Sequence, residues 1–161
     1  MIRAKVQITD SGKSEAQARN KRLKQLDKAY VTIGVHDDAG KYTEGNPPPD
    51  VVEVALWMEY GTKNIPERSF IRSTVDEHRS QINQWREQAL RQIMFDGKSV
   101  KDALESIGFK VQALIQNKIK SNVPPPLADS TAARKRKSGV APVTLINTGL
   151  LLRSITYKVH V

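Results

Sequence analysis

Gln92-Ile93-Met94-Phe95-Asp96-Gly97-Lys98-Ser99-Val100-Lys101-Asp102 reads as the end of one helix and the start of another. Gly97 stops the first, because glycine takes the left-handed conformation that closes a helix at little cost. Ser99 followed by Asp102 starts the second, offering a side-chain oxygen to amides that have no partner inside the helix. Upstream, Ile71, Val75, Ile82, Trp85, Ala89 and Ile93 make an apolar stripe over about 69–95, with His78 on the same line. Downstream, Val100, Leu104, Ile107, Val111, Leu114 and Ile119 make another over about 100–121. Two long helices joined so tightly are expected to pack as an antiparallel hairpin.

Working outward, the two ends of the chain read as strands. Residues 2–8 alternate Ile2, Ala4, Val6 and Ile8 with polar neighbours, the period of a half-buried strand. An amphipathic helix is expected over about 13–27, and a β-branched, alternating strand over 30–36. A final strand alternates Ile155, Tyr157, Val159 and Val161. The expected fold class is therefore α+β, a small mixed or antiparallel sheet from the N-terminal strands and the C-terminal strand, packed against the long helical hairpin. At 161 residues, with no internal repeat, the chain is read as one domain spanning 1–161.

Between strand and hairpin lies a Gly- and Pro-punctuated loop that ends Asn46-Pro47-Pro48-Pro49. Asp50 with Glu53 makes a capping box for a helix over 51–60, expected to present Val52, Ala55, Leu56 and Tyr60 on one face and to stop at Gly61. Residues 121–143 read as an extended, mobile loop, since Pro124, Pro125 and Pro126 are followed by Arg134, Lys135, Arg136 and Lys137 and then by Gly139 and Pro142. Asn147, Thr148, Gly149 and Leu150 then open a single helical turn before the last strand.

Charge is unevenly placed. The chain carries +9, and residues 117–161 hold eight basic side chains against Asp129 alone, so +7 of the excess lies in the last 45 residues. Such an excess attracts polyanions, either nucleic acid or an acidic protein surface. Arg134, Lys135, Arg136 and Lys137 would neutralise phosphates without reading sequence. No aromatic residue lies between Phe109 and Tyr157, so stacking on bases within that loop is excluded.

The residues for bond chemistry are missing. His36, His78 and His160 stand apart from any second ligand at metal spacing, and His36-Asp37-Asp38 reads as a turn. There is no Gly-x-Ser-x-Gly and no phosphate-binding glycine loop. With no cysteine there is no disulfide framework, which suits assembly in a reducing cytoplasm. The longest apolar runs, such as 149–152, are far too short to cross a bilayer, and the first residues lack the apolar core of a signal peptide. Neither enzyme, cofactor, metal site nor membrane association is expected.

What stands out instead is a corner rich in large side chains, Trp57, Met58, Tyr60, Ile65 and Phe70, around a glycine turn. Such a corner either completes the core or docks a neighbour. Here a resemblance enters. Ala55…Glu59-Tyr60-Gly61-Thr62 followed by Ile65-Pro66-Glu67-Arg68-Ser69-Phe70 is similar to a block of the tail-completion and head–tail joining proteins of long-tailed phages and prophages, the group that includes the lambda minor tail protein Z. A second block matches in order and spacing: Pro126-Leu127, Ser130-Thr131, the basic run at 134–137, then Leu145-Ile146-Asn147-Thr148-Gly149-Leu150 and Ser154-Ile155. The resemblance covers roughly residue 51 to the C-terminus, with Ser69 where proline is common and Asn147 where aspartate is common.

The resemblance implies a structural virion protein, assembled in the bacterial cytoplasm, that forms a ring, a hexamer, at the head-proximal end of the tail and joins tail to filled head. Its partners would be its own copies, the head-completion or connector proteins, and the tail terminator or tail tube. The related tail terminator, which caps the tail tube, is the nearest alternative; a non-specific nucleic-acid-binding protein is the alternative of another class. Trp57, Tyr60, Gly61, Ile65, Pro66, Arg68 and Phe70 are the expected subunit or neck contact. The basic loop would face channel DNA or an acidic partner, and 122–143 would order on assembly.

Overall fold

The computed structural model of the chain describes residues 10–161, so the strand expected over 2–8 lies outside the described residues. The elements follow the order α1 (Asp10–Leu26), β1 (Tyr30–Val35), a 3-10 turn (Asp37–Ala39), α2 (Val51–Tyr60), α3 (Arg72–Glu77), α4 (Arg79–Phe95), α5 (Val100–Lys120), α6 (Asp129–Lys137), α7 (Leu150–Ser154) and β2 (Ile155–His160). The fold is α+β. Its sheet has two strands among the described residues, β1 and β2, antiparallel and in register from Tyr30 opposite His160 to Val35 opposite Ile155.

The sheet lies on α5, and the contact is set by Gly108. A Cβ at that position would lie 2.7 Å from the ring of Tyr157, so only glycine lets β2 approach the helix this closely. Alternation does the rest. Ile33 and Val35 of β1 pack against the core on which Ile155 of β2 is fully buried, while Thr32, Thr156 and Lys158 remain exposed. On that outer face His36 bonds the hydroxyls of Thr32 (3.0 Å) and Thr156 (2.9 Å), and Tyr30 stacks on His160.

The hairpin of α4 and α5 forms where Gly97 (φ +73°) and the Ser99 cap, whose hydroxyl accepts the Asp102 amide at 3.0 Å, turn the chain. Near that turn Ala89 and Ile93 of α4 pack with Val100 and Ala103 of α5. The main core lies at the other end, where Val111, Ile115 and Ile119 of α5 meet Val51, Ala55, Phe70, Leu145, Leu151 and Ile155.

Three expectations are corrected. The helix expected over 69–95 is divided at His78 (φ −107°, ψ 15°) into α3 and α4. Its first turn holds Ser73 and Thr74, whose hydroxyls bond back to the carbonyls of Ser69 and Phe70 at 2.6 Å, a geometry that bends helices. Val75, expected on the apolar stripe, is exposed there. The stretch 122–143, expected as an extended loop, contains α6. Its sequence Asp-Ser-Thr-Ala-Ala-Arg-Lys-Arg-Lys puts an acid in the first turn and cations in the last, the arrangement the helix dipole favours.

Candidate functional site

The corner between α2 and α3 is built on one carboxylate. Asp50 opens α2 with a complete capping box, its Oδ1 accepting the Val52 amide at 2.9 Å while Glu53 accepts the Asp50 amide at 3.0 Å. Eleven residues on, Gly61 (φ +72°) ends the helix, and a Cβ there would lie 2.9 Å from the Glu67 amide nitrogen. The chain turns back through Thr62, whose hydroxyl accepts the Ile65 amide at 3.0 Å, and Arg68 donates its amide to the Met58 carbonyl at 2.7 Å.

Glu59 faces inward beneath this turn and is only 4% exposed. Its two oxygens accept the Ser69 hydroxyl (2.7 Å) and the backbone amides of Phe70 (2.8 Å), Ile71 (2.9 Å) and Arg72 (2.9 Å). Those amides open α3 and have no partner within it, so Glu59 caps α3 from a distance. Burial pushes its pKa up, but the bonds from Ile71, Arg72, Ser69 and Phe70 outweigh this and hold it below the ordinary carboxyl value. Arg72 closes the corner from outside, bonding Glu59 (3.2 Å) and Glu67 (2.7 Å) with its guanidinium 4.5 Å above the Tyr60 ring.

A second tie reaches the C-terminal block. The buried guanidinium of Arg68 donates to the carbonyls of Pro125 (2.8 Å) and Pro126 (3.1 Å). Beyond it, Lys135 is 8% exposed and its ammonium donates to the carbonyls of Val143 (2.7 Å) and Ile146. Burial, with Arg134 and Arg68 nearby, lowers the Lys135 pKa. Asn122 completes the set, accepting the Thr144 amide at 2.9 Å. Lys135 and Asn122 thus close the α6 segment on itself, and Arg68 ties it to the turn after α2.

The expected contact residues therefore separate. Trp57 and Tyr60 are exposed, at 39% and 58%. Pro66 is exposed, and Gly61 and Ile65 are half-buried in the turn. Phe70 is fully buried in the main core and Arg68 is turned inward, so neither presents its side chain to a partner. The basic run separates too. Arg134, Arg136 and Lys137 are exposed without an ion pair among the described residues, whereas Lys135 is structural. Asn147 and Thr148 are exposed, Gly149 (φ +75°) caps α7, and Thr148 accepts the Leu150 amide at 3.3 Å. This turn borders a cavity of about 240 Å³ that α2 also lines through Val54 and Met58.

The facing of α2 differs from the expected one. Its buried positions are Val51, Ala55 and Glu59, and its exposed positions are Glu53, Leu56, Trp57 and Tyr60. The exposed set falls at i, i+3, i+4 and i+7, one continuous stripe. Leu56 and Tyr60 were expected to share one face with Val52 and Ala55, but Ala55 is buried and those two are exposed. The inward place at position 59 goes to an acid because α3 needs its carboxylate, which turns three large apolar side chains outward. Leu56, 52% exposed, was missed as a surface residue for that reason.

Among the described residues no group of three or more His, Asp or Glu is placed to hold a metal ion, and no helix is long and apolar enough to cross a membrane. In comparisons with known proteins, no protein-family model, no curated protein and no solved structure matches the chain.

Proposed function

We propose that this chain is a structural subunit of a phage tail, assembling as a ring at the head-proximal end of the tail and joining tail to filled head. The observation that carries the reading is the outward stripe of α2. A helix whose solvent side bears leucine, tryptophan and tyrosine is apolar on both faces, and such helices are covered on both. Tryptophan and tyrosine are also the residues that dominate contact energies between proteins.

The surroundings suit this role. Glu59 and Arg68 fix the corner within the subunit, so the stripe is presented with little left to order when a partner arrives, which keeps the cost of association low. No bond chemistry is called for; complementarity of shape and charge does the joining. The resemblance of the two motif blocks supplies the tail-completion assignment, and Arg68 joins those blocks physically.

Deleting the gene from the phage or prophage that encodes it tests the reading. Electron micrographs of the lysate should show filled heads and finished tails side by side and unjoined. Normal virions in undiminished number would overturn it, and over-long tails would indicate a terminator instead.

A second reading rests on α6. Arg134, Arg136 and Lys137 project from one helical end without an ion pair among the described residues and suit a phosphate backbone passing close by. This contact is compatible with a ring around DNA and adds to the joining role.

A further inference from the structure

We propose that the cleft between α4 and α5 beside Trp85 binds a single tetrahedral oxyanion, a phosphate group, through Lys98 and Lys110. Regular helical positions bring its walls together. Trp85, Gln88 and Gln92 follow at i, i+3 and i+7 on α4, and Ser106 and Lys110 at i and i+4 on α5. Lys98 comes from the turn between the helices, where its amide donates to the Gln92 carbonyl at 3.1 Å. Ala89 and Ala103 pack across the floor, and their small side chains leave the seam open above them.

The lining supplies donors and no carboxylate. The Lys98 ammonium donates to Gln92 Oε1 at 3.1 Å, so what Gln92 has left to offer is its NH₂ group. Lys110 holds its ammonium 5.2 Å from the centre of the Trp85 ring. Both lysines are half-buried, and neither has an ion pair among the described residues. Ser106 adds a hydroxyl and Gln88 a second amide. An acid at 88 or 92 would have paired these cations, but the chain has glutamine at both places. The acids nearest in sequence stand elsewhere. Glu105 pairs with Lys101 at 3.8 Å, and Glu87, Asp96 and Asp102 are exposed and outside the lining. A cleft lined by one sign of charge and walled by an aromatic ring and methyl groups concentrates the opposite ion.

Volume selects the class of ligand. The cleft encloses about 60 Å³, little more than the room of two water molecules at ~30 Å³ each. Organic ligands occupy pockets of ~300 Å³ or more, so a base or a sugar does not fit. A phosphate group does. Its several oxygens can accept from both ammonium groups, the Ser106 hydroxyl and a glutamine NH₂ together. Lysines hold such a group as point charges, with no planar match required. Free in solution or carried on a nucleic-acid backbone, the group recognised is the same.

Trp57→Phe leaves Trp85 as the chain's single tryptophan, a reporter inside the cleft. In that background sodium phosphate, added at constant ionic strength against sodium chloride, should shift the Trp85 emission and half-saturate at ~1 mM. Lys98→Gln, which keeps Lys110 over the ring, and Lys110→Gln should each weaken this response roughly tenfold. Phosphate should also raise the melting temperature of the parent chain and leave that of the double lysine variant unchanged. A short DNA duplex in chloride buffer identifies the source. A backbone phosphate would shift the same emission and compete with the free ion; a duplex without effect on Trp85 assigns the cleft to the free ion. A parent chain that responds to phosphate no more than to chloride would overturn the inference. So would a response that both lysine variants retain at full strength.

Discussion

The Nε of Arg68 donates to the carbonyl oxygen of Pro125 at 2.8 Å, across 57 residues of sequence. With the second bond to Pro126 it fastens the turn after α2 to the segment leading into α6. The two motif blocks are thereby one physical unit. We expect Arg68→Ala to destabilise the chain by about 2 kcal/mol, because the two carbonyls lose a charged donor. Arg68→Lys should recover only part of this, since an ammonium does not reproduce the fixed fork. Urea titration read by tryptophan fluorescence measures both.

Glu59 should be the most sensitive polar position of the corner. Replacing it by alanine leaves the amides of Phe70, Ile71 and Arg72 and the Ser69 hydroxyl without their acceptor, a loss of about 3 kcal/mol. The pH dependence follows from sign. Its carboxyl is held below the ordinary value in the fold, so its stabilisation is complete above that value and disappears as the pH falls through the folded one. Thermal unfolding from pH 7 to pH 3 should show this acid loss in the parent chain and a smaller one in Glu59→Gln.

Within the basic run one lysine should behave unlike its neighbours. Lys135→Ala removes the donor to Val143 and Ile146 and should cost about 2 kcal/mol. Replacing Arg134, Arg136 and Lys137 together by serine should cost about 1 kcal/mol, through the helix dipole and helix propensity alone. The same triple variant should flatten the salt dependence of binding to duplex DNA. Replacing all four would confuse the two effects, and calorimetry beside a fluorescence binding assay keeps them apart.

Gly108 tests the sheet's seat on α5. Alanine is the better helix former by about 1 kcal/mol. Its methyl group would nonetheless meet the Tyr157 ring, and we expect a net loss of about 1–2 kcal/mol from overpacking. A Gly108→Ala chain at least as stable as the parent in chemical denaturation would show that β2 yields without strain.

Much of this architecture is legible in residue order. The Gly97–Ser99 junction announces the hairpin, Asp50 and Glu53 announce the start of α2, and alternation announces β1 and β2. Two features are hidden for identifiable reasons. α6 has no apolar period, because it is anchored by a lysine stem and ammonium, groups that hydropathy counts as solvent-facing. The facing of α2 is set by Glu59, whose inward position depends on where α3 begins, and that is a tertiary fact. The candidate site was half visible. Trp57 and Tyr60 stood out by size, whereas Leu56 and Glu53 joined them only once the helix was oriented.

The role of the α2 stripe is tested most directly by complementation. A phage lacking this gene would be supplied with the parent chain or with Trp57→Ser/Tyr60→Ser, a pair of surface changes expected to shift stability by under about 1 kcal/mol. The lysates would be examined by electron microscopy for joined and unjoined particles. We expect the parent chain to restore virions, and the double variant, folded and present at equal level, to leave filled heads and tails apart. Virions restored equally by the double variant would contradict the assignment of this stripe as the joining subunit's assembly surface.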